Sequence, residues 1–230
     1  MNITNLFTTP LLPARCELCG ASGNHLDCIC MDCLDDLPVV GACCERCGIR
    51  MPQAAAICGR CLLEPFLADR TVTAYEYRYP VDALIKAMKY RHCLRLAVPM
   101  SRALARRIMA GAEPLPEVMI PVPLHHKRLY RRGFNQSYEI CRRLYGYTHI
   151  PVDLGSVSRT RHTSPMFDLT VRQRRENITG AFKLLRPLNY RSVAIVDDVI
   201  TSGATVNELA RLLRRAGVNF ISCWALARAE

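Results

Sequence analysis

The sequence predicts an α/β protein in which helices flank a parallel β-sheet, preceded by a small cysteine-rich module. Three observations lead there. Residues Val193 to Val196 read V-A-I-V, the short apolar run of a strand buried on both faces, and an amphipathic helix with Val206, Leu209, Leu212 and Leu213 on one face follows. Ten of the thirteen cysteines lie between Cys16 and Cys61, with Cys93, Cys141 and Cys223 beyond them. Charge divides the chain at the same place: residues 1–70 carry five basic and eight acidic side chains, residues 71–230 carry 26 and 12. The chain therefore splits near Glu64-Pro65 into a module over 1–64 and a domain over 65–230, long enough together for one sizeable core and a small addition.

The cysteines are regularly spaced. Cys16, Cys19, Cys30 and Cys33 form a C-x2-C-x10-C-x2-C unit, and Cys44, Cys47, Cys58 and Cys61 repeat it 28 residues later. Gly20 and Gly48 follow two of the pairs and allow the backbone to turn tightly beneath a metal. Four thiolates in two such pairs suit tetrahedral Zn²⁺, whose binding supplies folding energy that so small a module lacks. Two zincs in sequential ribbons are expected, with a cross-braced pairing as the alternative. Cys28 and Cys43 are surplus, and His25 is assigned to a loop.

Beyond the module, Thr71 to Tyr77 reads as a strand with Tyr75, Tyr77 and Tyr79 alternating along and after it. Pro80 to Tyr90 fits a helix opened by proline, with Val81, Leu84, Ile85 and Met88 on one face. A second helix spans Leu96 to Met109, with Pro99 near its start. Glu117 to Ile120 is a strand leading into Pro121-Val122-Pro123-Leu124, and Asn135 or Ser137 caps a helix running to about Tyr145. The final strand is expected over Val218 to Leu226, leaving no following segment to cover a base.

The functional signal lies where the V-A-I-V strand ends. Asp197 and Asp198 stand side by side there, and Thr201-Ser202-Gly203-Ala204-Thr205 supplies hydroxyls and a permissive glycine just before the helix. Ligands of open α/β sheets bind at the carboxyl ends of strands, and helix N-termini offer free N–H groups to anions. Acids for sugar hydroxyls next to a phosphate cradle suit a phosphorylated ribose. No G-x-x-x-x-G-K-[ST] loop occurs. The string resembles the ribose-5-phosphate motif of type I phosphoribosyltransferases. The resemblance implies a type I phosphoribosyltransferase-like sheet, with Asp197 and Asp198 facing the ribose 2′- and 3′-hydroxyls and Thr201 to Thr205 wrapping the 5-phosphate. The implied ligand is phosphoribosyl diphosphate or a related ribose phosphate, with Mg²⁺ held mostly by the ligand itself.

Three further strings are similar to the ComF/GntX family: P-V-P-L-x-x-x-R-L-x-x-R-G-F-N-Q from Pro121, R-T-R-H-T from Arg159, and R-R-E-N-I-T-G-A-F from Arg174 to Phe182. The paired cysteines and the final strand ending in A-R agree, so the resemblance covers nearly the whole chain. Met166 departs from the Gln that many members carry. The resemblance implies a role in natural competence and in using incoming DNA as a nutrient. It also aligns Pro121 to Lys127 with a pyrophosphate loop and Arg159 to Arg175 with a mobile loop over the substrate.

The basic half is almost all arginine, with four lysines in the chain, and guanidinium forks bind phosphate bidentately. Lys127 and Arg128 cluster with Arg131 and Arg132, as do Arg172, Arg174 and Arg175; Arg128, Arg159 and Arg161 are the candidates to neutralise a diphosphate. Three functions remain open on the sequence: a ligand-binding protein in DNA uptake, an active phosphoribosyltransferase, or an adaptor that holds single-stranded DNA or DNA-processing proteins. Asp197 and Asp198 are the catalytic residues of the second. Met1 to Phe7 lacks the basic start and long apolar core of a signal peptide, and no apolar run approaches the ~18 residues of a membrane span. A cytoplasmic protein with reduced thiols and no membrane insertion is expected.

Overall fold

The computed structural model describes residues 15–22, 28–111, 114–161 and 171–230. His25, Met166 and residues 1–14 lie outside the described residues, as do 162–170 of the arginine-rich stretch and the side chains of Arg172, Arg174 and Arg175.

Four parallel strands form the central sheet: β1 (Arg70–Glu76), β2 (Val118–Pro121), β5 (Ser192–Ile200) and β6 (Phe220–Arg228), in the order β1-β6-β5-β2. The alternation of a strand's side chains divides the core into two halves. Ala194, Val196, Trp224 and Leu226 face a cluster built from α3 (Val81–Tyr90), α4 (Ala97–Met109) and α6 (Gln136–Thr148), with Leu84, Met88, Met100, Leu104, Ile140 and Leu144 fully or almost fully buried. Val193, Ile195, Ile221, Cys223 and Ala225 face the other cluster, where α8 (Ala204–Arg215) lays down Val206, Leu209, Ala210 and Leu213. Both faces being covered, β5 and β6 are apolar almost throughout. A two-stranded antiparallel ribbon, β3 (Val157–Arg159) with β4 (Phe182–Leu184), stands apart from this sheet, and α7 (Val171–Ile178) lies between its strands in sequence.

The cysteine-rich module, with its short helices α1 (Met31–Asp35) and α2 (Gly59–Leu63), closes the open edge of the sheet. An edge strand presents unpaired N–H and C=O groups, and those of β1 are met here. Val40 N–H donates to the Ala74 carbonyl (3.1 Å), Glu76 N–H to Pro38 (2.9 Å), and Thr71 N–H to Glu45 (2.7 Å). Cys16 and Cys28 of the first ribbon join the α3–α4 half of the core, while Cys44, Cys47, Cys58 and Cys61 join the α8 half. At the opposite edge Met119 of β2 exchanges hydrogen bonds with the 151–153 segment.

Some elements differ from the sequence expectation. The final strand begins at Phe220, two residues after the expected Val218, because the exit of α8 claims the intervening chain. Gly217 adopts φ +91°, and N–H groups of Gly217 and Val218 bond the carbonyls of Arg214 and Leu213, a helix-ending motif that needs glycine. The loop expected over Pro121 to Lys127 gives way at His126 to a helix, α5 (His126–Arg132), which is started by His125 accepting from Lys127 N–H and ended by Gly133 at φ +78°. The helix expected from Leu96 begins at Ala97 after a turn of 3-10 helix, which leaves Pro99 in its first turn, where its missing N–H costs nothing.

Gly48, next to the ligand Cys47, has φ +70°, and a Cβ there would lie 2.8 Å from Thr71 Cγ2. Gly48→Ala should therefore lower stability by about 1–3 kcal/mol through backbone strain and loss of fit on β1. Thermal unfolding of the zinc-loaded variant measures this, and an unchanged midpoint would contradict the packing described.

Candidate functional site

The strand of the Asp-Asp motif does not stop before the acids. β5 continues to Ile200, so Asp197 and Asp198 lie within paired strand and their side chains leave on opposite faces. Asp198 is buried, with Oδ1 2.8 Å from Lys89 Nζ at the end of α3 and Oδ2 accepting from Gln136 Nε2 at 3.1 Å. Asp197 is half-buried, and its Oδ1 accepts from Ser137 Oγ (3.1 Å) and from Asp198 N–H (2.9 Å). Gln136 and Ser137 are the first two residues of α6, which Asn135 caps by accepting from Ser137 N–H. The pair thus meets a helix N-terminus, whose partial positive charge favours anions.

Electrostatics acts on Asp197 and on Lys89. Burial and the neighbouring Asp198 push Asp197 up to about 7. Burial also acts on the Lys89 ammonium, but the carboxylates of Asp198 and Asp197 outweigh it and hold its pKa above the ordinary lysine value. Neither Lys89 nor Gln136 was singled out from sequence, and Ser137 was read only as a cap. A lysine in the last turn of an apolar-faced helix, in a chain with four lysines, was the available signal.

The segment after the acids has the expected form. Thr201, Ser202 and Gly203 make a tight bend into α8, and Gly203 sits at its N-cap with φ +79°. A Cβ on Gly203 would overlap Phe66 Cε2, so glycine is required by conformation and by space together. Ser202 Oγ accepts from Ala204 N–H, and Thr205 lies in the first turn, whose N–H groups have no partner within the helix.

The basic candidates divide. Arg159 is almost fully buried, with its guanidinium 5.6 Å from the Phe182 ring centre; burial and the charge of Arg128 depress it to about 10, while Asp197 acts in the opposite sense. Arg128 and Arg159 thus lie in one electrostatic neighbourhood with Asp197. Lys127 is exposed on α5, and Arg161 is exposed with its guanidinium donating to the Thr179 carbonyl at 2.6 Å. Tyr75 is buried in the core, which removes it from any stacking role, whereas Tyr79 is exposed.

The cysteines converge in two sequential sets, Cys16/Cys19/Cys30/Cys33 and Cys44/Cys47/Cys58/Cys61, each with all sulfurs within 4.8 Å of one another. This excludes cross-bracing, and Cys28 and Cys43 stand outside both sets. Cys19–Cys30 and Cys47–Cys58 sulfurs are each 3.7 Å apart, matching the edge of about 3.8 Å of a tetrahedron with Zn–S bonds of ~2.3 Å. The sets repeat in detail: Cys30 N–H donates to Cys16 Sγ (3.4 Å) and Cys58 N–H to Cys44 Sγ (3.3 Å). Burial opposes ionisation, but backbone N–H and neighbouring thiol donors outweigh it and lower Cys16 to about 6 and Cys58 to about 7, whereas neighbouring thiols and burial raise Cys33 and Cys61, so metal binding has to displace protons from each set.

The structure defines an α/β protein with a parallel sheet, an acid pair at the end of β5 and two four-cysteine sets suited to zinc. The Double zinc ribbon domain family matches residues 7–62. The chain is 38% identical over 174 residues to DNA utilization protein YhgH of Escherichia coli K12, covering 74% of this chain and 77% of that protein. It is 38% identical over 178 residues to Competence protein F of Haemophilus influenzae (74% and 78% covered) and 34% identical over 174 residues to the YhgH protein of Salmonella typhi (74% and 77%). The chain belongs to the ComF/GntX family. Among the described residues, no helix is long and apolar enough to cross a membrane.

Two outcomes are expected. Lys89→Met strands the Asp198 carboxylate in the core, so denaturant unfolding should show a loss of about 3–5 kcal/mol, partly recovered by adding Asp198→Asn; a fully stable single variant would contradict the pairing. Asp197 has a folded pKa above the unfolded value of ~3.9, so the native state retains a proton that the unfolded chain sheds. Its contribution is therefore present at low pH and is lost as pH rises towards about 7. Asp197→Asn should flatten this decline when unfolding is compared at about pH 5 and 7.5.

Proposed function

We propose that this chain is a cytoplasmic phosphoribosyltransferase-fold protein, with the zinc module over 1–64 and the ligand domain over 65–230, that binds phosphoribosyl diphosphate with Mg²⁺ and acts in DNA uptake and utilisation. One observation carries this reading: two carboxyls at the carboxyl end of a central parallel strand, followed by a left-handed glycine and a helix N-terminus. Asp197, which accepts from Ser137 and from the Asp198 N–H on Oδ1, is the acid available to a ribose hydroxyl. Asp198, tied to Lys89 and Gln136, fixes the strand end. Thr201 to Thr205 would take the 5-phosphate on their N–H and hydroxyl groups. Arg128 and Arg159 are placed to offset diphosphate charge, and Mg²⁺ would be held chiefly by the ligand's diphosphate and hydroxyls beside Asp197. The names of the Escherichia and Haemophilus relatives support the DNA-utilisation role.

A second reading, an adaptor for single-stranded DNA, is favoured by one surface. Arg132 lies 5.5 Å over the ring of Tyr90, His92 meets Phe134 edge-on at 5.5 Å, and Tyr130 is 93% exposed beside Arg131. Aromatic faces interleaved with arginines are what stacked bases and a phosphate backbone require.

Calorimetric titration of the zinc-loaded protein with phosphoribosyl diphosphate and Mg²⁺ tests the first reading. Wild type should bind, and Asp197→Asn/Asp198→Asn should weaken binding about 100-fold or more, roughly 3 kcal/mol. A folded wild type that gives no heat would overturn it and leave the DNA adaptor. Incubation of the bound complex with nucleobases, followed by assay for diphosphate release, separates a transferase from a binder.

A further inference from the structure

We propose that Arg228 is a positioning residue through which the second zinc centre holds the Thr201–Thr205 loop in shape. Arg228 ends β6, between β1 and β5, and is only 5% exposed. A guanidinium so buried must have its N–H groups satisfied and its charge offset. Its Nε donates to the Cys47 carbonyl at 2.8 Å, and Nη1 donates to the carbonyls of Ile200 (3.0 Å), Thr201 and Ala229. Cys47 is a ligand of the second four-cysteine set, while Ile200 and Thr201 form the exit of β5 into the loop. One rigid fork therefore joins the metal knuckle to the candidate phosphate site, a geometry that lysine cannot reproduce.

Zinc occupancy bears on both requirements of the guanidinium. Four thiolates around one Zn²⁺ leave a net charge of about −2 beside it, which helps to offset a cation that otherwise donates to backbone carbonyls and interacts with the Cys47 side chain. Occupancy also fixes the knuckle as an acceptor. The knuckle main chain is tied to β1 by Thr71, whose N–H and hydroxyl bond the carbonyls of Glu45 and Arg46 (2.7 and 2.6 Å), and Gly48 packs close to the Arg228 stem.

A second tie comes from the chain just beyond Cys61. Phe66 lies against Gly203, and Leu67 N–H donates to Asn207 Oδ1 at 2.9 Å in the first turns of α8. The loop is thus gripped from its strand side and its helix side by residues around the second metal set. The acid pair depends instead on α3 and α6, so the two halves of the site respond differently to loss of this metal.

The functional meaning rests on the reading of 201–205 as a phosphate loop, whereas the coupling itself does not, and hydrogen exchange followed by mass spectrometry separates them. Arg228→Lys should keep two zincs per chain, exchange amides in 200–205 about tenfold faster than wild type, leave 137–144 unchanged, and bind phosphoribosyl diphosphate about tenfold more weakly. Wild-type loop exchange in this zinc-loaded variant would overturn the proposal. Should Arg228→Lys not fold, Cys44→Ser decides: faster exchange in 200–205 with 137–144 still protected supports the coupling, and loop and core exchanging together, or a loop unaffected, refutes it. Loop exchange that responds as stated in a wild type that binds no phosphoribosyl diphosphate would sink the ligand reading and leave the coupling intact.

Discussion

The ion pair between Lys89 and Asp198 is the interaction on which the candidate site depends. Two adjacent carboxyls at the end of a buried strand repel one another and lose hydration, and no strand alone can hold them there. The protein meets this with one cation and one helix. Lys89 comes from the last turn of α3, far back in sequence, and Gln136 and Ser137 come from the start of α6. Their combined effect is asymmetric: Asp198 is locked between a cation and an amide, whereas Asp197 keeps its proton up to about neutral pH. A site whose two acids differ in this way separates a structural carboxyl from one available to a ligand.

The same economy governs the zinc ribbons. A module this small cannot build a sufficient core, and its metal sets take over that role. The ribbon nevertheless buries cysteines in both halves of the main core and satisfies the backbone of β1, so it completes the sheet as well as folding beside it. Because β6 lies between β1 and β5, the carboxyl end of the edge strand, the Cys44–Cys47 turn of the second metal set and the candidate phosphate loop meet around one buried arginine.

What was legible in the sequence was local. Cysteine spacing specified two metal sets, and the sequential pairing was the first expectation drawn from it. The V-A-I-V run, the adjacent acids and the glycine before α8 placed a site at a strand end, because strand, turn and helix are contiguous there. Long-range contacts were not legible. Lys89, Arg228 and Phe66 carry no local signal of their partners, and only the fold shows what each touches. The helix at His126–Arg132 was missed because its apolar face is short and none of its residues is buried. Arg161 donates to a neighbouring loop carbonyl, and Arg159, of the same motif, is buried near Asp197.

The central claim is that the end of β5 and the N-terminus of α8 form one ribose-phosphate site. A crystal structure of the zinc-loaded protein with ribose 5-phosphate tests it most directly. The account predicts the phosphate within hydrogen-bonding distance of the 201–205 amides and a ribose hydroxyl on Asp197, with the Lys89–Asp198 pair undisturbed. Ligand density seated instead on the arginines of α5, with the 201–205 loop empty, would contradict it.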